Sequence, residues 1–179
     1  MNALARVLAA ACALAVAAPA DAKVAQKGPT GFVVEFGAEL KADAKTARDA
    51  FLDVGKWWSS DHTYSGDAKN LSIEAKPGGC WCETLPDGGF VQHMTLVNAA
   101  PGMLVFSGGL GPLQFMGVAS SLTLNLKTAN GVTKVTMRYD VGGRDDKNFE
   151  EISAGVDGVL AEQFARYVSF VNTGKPDSK

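Results

Sequence analysis

Residues 148 to 174 constrain the chain most. Phe149, Ile152, Val156, Val159, Leu160, Phe164, Tyr167, Val168 and Val171 recur at three- and four-residue spacing, the period of one helix face. Asn148 and Glu151 have the spacing of a capping box, with Asn in place of Ser or Thr. Gly174 and Pro176 end the pattern. The spacing predicts a helix of about 25 residues, nearly 40 Å long at 1.5 Å per residue. Such a helix must lay its apolar face along a surface of similar length. Gly155 and Gly158 lie inside it. Glycine disfavours a helix interior by about 1 kcal/mol, so both are expected to face the sheet or a cavity beneath the helix.

The rest of the chain supplies strands. Residues 32–40, 71–75, 80–85, 90–97, 103–108, 120–126 and 132–141 are short segments rich in alternating or β-branched residues. Pro86-Asp87-Gly88-Gly89 and Asn130-Gly131 are hairpin signals. Asp43 is the expected N-cap of a first helix through Ala47, Ala50, Phe51 and Val54 that stops at Gly55. The order is strand, helix, about six strands, long helix. It predicts an α+β fold, a curved antiparallel sheet of about seven strands around one long C-terminal helix.

The first 22 residues read as a cleavable export signal. Arg6 supplies the positive charge, Val7 to Ala18 an apolar run too short to span a bilayer, and Ala20-Asp21-Ala22 a small-x-small cleavage site. The expected organisation is a signal peptide over 1–22, a short leader over 23–30, one domain over 31–174 and a tail over 175–179. Localisation is then periplasmic or secreted, with no membrane span in the mature chain. Seventeen basic residues face nineteen acidic ones, a net charge of −2 without a basic run, which argues against nucleic acid. Cys12 falls in the apolar run, so the mature chain keeps two of the three cysteines, too few for a disulfide framework.

Trp57-Trp58 after the first helix, Pro77-Gly78-Gly79 entering a strand, the hairpin behind it and the long last helix together resemble the START-like, or SRPBCC, superfamily. The resemblance runs from Phe32 to Thr173. It is nearest the polyketide cyclase-like branch and the relatives of the chaperone ATPase activator. It implies the helix-grip fold, with a small hydrophobic molecule held in a cavity between sheet and C-terminal helix. Trp57, Trp58, Trp81, Phe106, Phe115 and Tyr139 are the aromatic residues available to line it, although aromatics in a domain of this size serve more often as core.

Cys80 and Cys82 flank Trp81. In a regular strand, residues i and i+2 share a face with Cα atoms nearly 7 Å apart, at the limit for a disulfide. Two free thiols are expected unless the strand bulges, which Gly78-Gly79 would permit. If Leu85 pairs with Phe90 around the turn, Cys82 directly opposes His93, and His62 in the loop after the tryptophans is the one other histidine. Cys80, Cys82, His93 and His62 are then candidate ligands for zinc or copper. The same register puts Glu83 and His93 on opposite faces, against an acid–base pair. The alternative to a binding domain is a cyclase-like or metal-assisted enzyme built on the Cys/His cluster. The segment Gly108 to Gly117 is a candidate lid.

N-terminal sequencing of the exported protein should begin at Lys23. A soluble protein retaining residues 1–22 would remove the assignment to an oxidising compartment.

Overall fold

The computed structural model describes residues 21–144, 146 and 148–177. The expected signal peptide, apart from residues 21 and 22, lies outside the described residues. Eight strands form one antiparallel sheet: β1 (Asp21–Gly28), β2 (Gly31–Leu40), β3 (Leu71–Ile73), β4 (Cys80–Thr84), β5 (Phe90–Ala100), β6 (Met103–Ser107), β7 (Ala119–Ala129) and β8 (Val132–Gly142). Their spatial order is β1-β2-β8-β7-β6-β5-β4-β3. Two helices complete the fold, α1 (Ala44–Leu52) and α2 (Phe149–Thr173). The eighth strand comes from the segment read as a leader together with residues 21 and 22 of the expected signal peptide, and it pairs with β2 from Asp21↔Gly37 to Gly28↔Gly31.

Local chemistry sets the boundaries. The Asp43 side chain accepts from the Thr46 N–H at 2.7 Å and opens α1. Asn130 and Gly131 both have positive φ, as a two-residue hairpin turn requires, and join β7 to β8. Gly174 takes the left-handed conformation and donates to the Phe170 carbonyl at 2.8 Å, ending α2 where the glycine predicts. The start of α2 differs from expectation. Asn148 is itself left-handed, and its amide bonds the Glu151 carboxylate rather than a backbone N–H. The first turn therefore lacks the reciprocal backbone bonds of a capping box.

α2 packs along β1 and β2, and α1 contacts both α2 and β7. Aromatic rings fill the layer between helix and sheet. Phe149 meets Phe32 at 6.0 Å between centroids and Phe164 meets Phe36 at 5.7 Å. Phe51 is fully buried and lies 5.2 to 6.0 Å from Trp57, Tyr167, Trp81 and Phe106. Trp57, Trp58, Trp81, Phe106 and Tyr139 are thus core side chains, and packed rings stand where an apolar ligand cavity was expected. Gly155 and Gly158 are exposed, and a Cβ on either would meet only open space. They neither admit the sheet nor face a cavity, so close packing does not explain them. Among the described residues no helix is long and apolar enough to cross a membrane.

Removing the Phe51 ring would open a cavity touching α1, α2 and the sheet together. Phe51→Ala should lose about 3–5 kcal/mol in urea unfolding. A loss below about 1 kcal/mol would show that these contacts form without it.

Candidate functional site

The site grows from the entry to β4. The Gly78 N–H donates to the Leu96 carbonyl at 3.1 Å, and the Leu96 N–H donates to the Gly79 carbonyl at 2.8 Å. A side chain on Gly79 would collide with the Glu74 carbonyl, so only glycine lets the chain fold back so tightly here. Cys80 and Cys82 follow, both half-buried. They are joined by a disulfide, with Cα atoms 5.3 Å apart. The free thiols expected from a regular strand are therefore absent, and the reason is visible in the ladder. Cys80 pairs with Thr95 and Trp81 with Met94, but Cys82 pairs with Gln92 and Thr84 with Phe90. His93 is passed over. β5 bulges at this residue, and the strands bend where the two sulfurs meet.

The bulge decides where His93 points. A regular alternation would place it opposite Cys82 on the outer face. The extra residue instead turns His93 inward beside Met94, and both are buried. On the inner face of β4 stands Glu83, wholly buried, and the His93 Nε2 lies 3.0 Å from its Oε2. Its Oε1 accepts from the Ser65 N–H. The Tyr64 ring stacks on His93 at 5.9 Å and 25°. Glu83 and His93, expected on opposite faces, form the buried polar pair of the fold. The sequence hid this because a one-residue shift inverts every side chain beyond it.

The metal reading does not survive this register. Cys80 and Cys82 are bonded to each other, His93 is on the other face, and His62 faces α2, with its Nε2 3.1 Å from the Glu162 Oε2. Among the described residues no three or more of His, Cys, Asp and Glu are placed to hold a metal ion. His62 is fixed there because its loop is clasped to the helix. The Trp58 indole donates to the His62 carbonyl, the Ser59 N–H donates to Gln163 Oε1 and Arg166 Nε donates to the Trp57 carbonyl, all at 2.8 to 2.9 Å.

A groove of about 290 Å³ opens where β6 ends and the chain turns away from β5. Gln92, His93, Met94, Thr95, Ser107, Gly108, Gly109 and Gln114 line it. Gly108 has φ of +138°, and a Cβ there would stand 2.7 Å from the His93 carbonyl, so glycine is needed where this segment crosses the bulge. The segment read as a lid is anchored rather than loose. Leu113 is buried, the Leu110 N–H donates to the Tyr139 hydroxyl at 3.1 Å, and the Gln114 amide donates to the Gln92 carbonyl. Phe115, next to Gln114, is 80% exposed, and Phe90, two residues from Gln92, is 73% exposed. Of the six aromatic residues named from sequence, only Phe115 is open to solvent beside a groove. A second groove of about 340 Å³ lies between the end of α1 and β3, lined by Leu52, Asp53, Lys69 and Leu71 among others, and holds no such polar pair.

Electrostatics set the proton on the pair. Burial pushes the Glu83 carboxyl up, but the hydrogen bonds from Ser65, Tyr64 and His93 outweigh it and hold the group below its ordinary value. Burial pushes His93 down, and Glu83 offsets only part of that. Near neutral pH the pair is a carboxylate and a neutral imidazole. The carboxylate then accepts from the Nε2–H, which leaves Nδ1 as the acceptor, with no protein partner among the described residues. A histidine held in one tautomer by a buried carboxylate is suited to take a proton from a bound molecule.

Both groups have native values below their ordinary 6.5 and 4.5. As pH falls, the unfolded chain therefore gains protons before the native one, and stability falls with it. Urea unfolding should show a free energy that drops between about pH 7 and pH 5, and His93→Gln should flatten that drop. Equal slopes in the two proteins would mean that His93 is not held neutral.

No family model matches the chain, and no curated protein matches its sequence. Solved structures do. The Aha1 dimer from Colwellia psychrerythraea is 16% identical with a TM-score of 0.56, over 80% of this chain and 98% of that one. DynU16 from the dynemicin biosynthetic locus is 18% identical with a TM-score of 0.55, over 80% of this chain and 48% of that one. StfQ, a di-domain ARO/CYC protein of steffimycin biosynthesis, is 12% identical with a TM-score of 0.50, over 78% of this chain and 50% of that one. At such identities the likeness concerns architecture, and with the antiparallel sheet and the long last helix it shows that the chain has the helix-grip fold.

Proposed function

We propose that the protein is an exported START-like domain that binds a small organic molecule in the groove beside His93. One observation carries this reading: His93, whose Nδ1 has no protein partner among the described residues, lines a groove of about 290 Å³, a volume at the lower edge of ordinary ligand sites. The lining supports a ligand with apolar body and polar substituents. Gln92, Thr95, Ser107 and Gln114 offer hydrogen bonds, and the exposed rings of Phe115 and Phe90 stand nearby as apolar surface. The aromatase/cyclase name of one structural neighbour is consistent with such a ligand. The signal-like sequence over residues 1–22 and the Cys80–Cys82 bond are both consistent with export, since disulfides persist in oxidising compartments.

A second reading is favoured by the fixed tautomer: His93 acts as general base on the bound molecule, with Glu83 stabilising the imidazolium that forms. It needs a ligand proton within hydrogen-bond reach of Nδ1.

Native mass spectrometry of protein purified from the periplasm should show an associated organic species. Ser107→Trp places a large ring in the groove from an exposed position and should remove that species and weaken binding of an apolar fluorescent probe, anilinonaphthalene sulfonate, at least tenfold. Equal binding by both proteins would exclude the groove.

A further inference from the structure

β4 and β5 hold two pairing registers within one ladder. Cys80↔Thr95 and Trp81↔Met94 belong to the first, while Cys82↔Gln92, Glu83↔Val91 and Thr84↔Phe90 belong to the second. Carried on without interruption, the first register would set Cys82 opposite His93 and Leu85 opposite Phe90. The turn would shrink to Pro86-Asp87-Gly88-Gly89, a sequence well suited to it. Because the side-chain period is two, the slip would turn His93 and Val91 outward and Gln92 and Phe90 inward.

The two registers have opposed merits. The observed one gives buried Glu83 its partner, His93, but leaves Phe90 73% exposed. The continuous one would cover Phe90 and offer Glu83 the amide of Gln92 in place of the imidazole. The disulfide sits on the step where the registers part. It draws the Cα atoms of Cys80 and Cys82 to 5.3 Å, where an extended strand spaces i and i+2 by about 6.6 Å. A strand contracted in this way cannot keep step with a straight neighbour.

From this coincidence we infer that the Cys80–Cys82 bond is a redox switch for the β4–β5 register. Oxidised, it holds the bulge and keeps His93 on Glu83. Reduced, β4 extends, the ladder runs through in one register, and His93 moves to the outer face beside the two thiols. The reductant is a dithiol, either a small molecule or a protein. One of its thiolates attacks a cystine sulfur, the S–S bond breaks, and the other cysteine leaves as thiolate. The second thiol of the reductant then resolves the mixed disulfide. Two electrons and two protons pass to the cysteine pair, and the dithiol departs as a disulfide. Both cysteines are half-buried rather than sealed, which leaves a path for attack. The consequence for ligand binding rests on the groove reading above; the register change itself does not.

The test is NMR of the mature chain, oxidised, reduced with dithiothreitol, and as the Cys80→Ser/Cys82→Ser double variant. Cross-strand nuclear Overhauser contacts of Cys82 with Gln92 should mark the oxidised protein. In the reduced protein and the double variant they should give way to contacts with His93, while the β7–β8 contacts persist. Unchanged Cys82–Gln92 contacts after reduction would overturn the inference. So would loss of the whole fold, because the bond would then be a staple and not a switch; the reduced wild type decides this even where the double variant fails to fold. Anilinonaphthalene sulfonate binding is read in parallel. A register change without probe binding in either state rejects the groove and leaves the switch standing.

Discussion

The fold depends on one layer of rings between α2 and the sheet. Phe51 touches aromatic side chains from the loop after α1, from α2, from β4 and from β6. Among the described residues no other ring contacts aromatic side chains of so many elements. The layer positions the site indirectly. Trp57 and Trp58, held in it, fix the loop that leads to Tyr64 and Ser65, and these two residues cover the Glu83–His93 pair. Space filled so fully by large side chains leaves little room for a ligand under the helix. The groove beside the polar pair lies instead at the open end of the sheet, where β6 stops short of β5.

A wholly buried carboxylate is tolerated only with partners. Glu83 has them from two sides: the covering loop at Tyr64 and Ser65, and the imidazole across the ladder. The imidazole reaches it only because β5 carries one residue more than β4 at that step. The polar pair, the bulge and the disulfide therefore form one structural unit, and a change in any of them is felt by the other two.

The sequence made the architecture legible because its strongest signals are long or stereochemically forced. The spacing of α2, the Asp43 cap, Gly174 and the Asn130-Gly131 turn each have one physical reading, and each is found. The site was less legible. Glu83, His93 and the two cysteines were noticed, while Tyr64, Thr95 and Ser107 were not, and His93 was assigned to the wrong face because pairing was counted from Leu85↔Phe90 and the actual pair is Thr84↔Phe90. Above the bulge the counted register is the observed one. The signal for the irregularity was present in Gly78-Gly79, which permits a bulge. Strand β1 was missed because residues 21–28 have no clear alternation and gain their conformation from pairing with β2.

Gly155 and Gly158 remain on the solvent side of α2 with nothing packed against them. The first three turns of that helix thus combine two flexible backbone positions with a poorly capped start, while its last turns are pinned by Phe164, Tyr167 and the clasped tryptophan loop. Opening free energy is not uniform along a helix built this way. Its N-terminal third is held by Phe149 on Phe32 and Glu150 on Lys27, fewer contacts than clasp the other end, so opening that third costs less than opening the clasped turns.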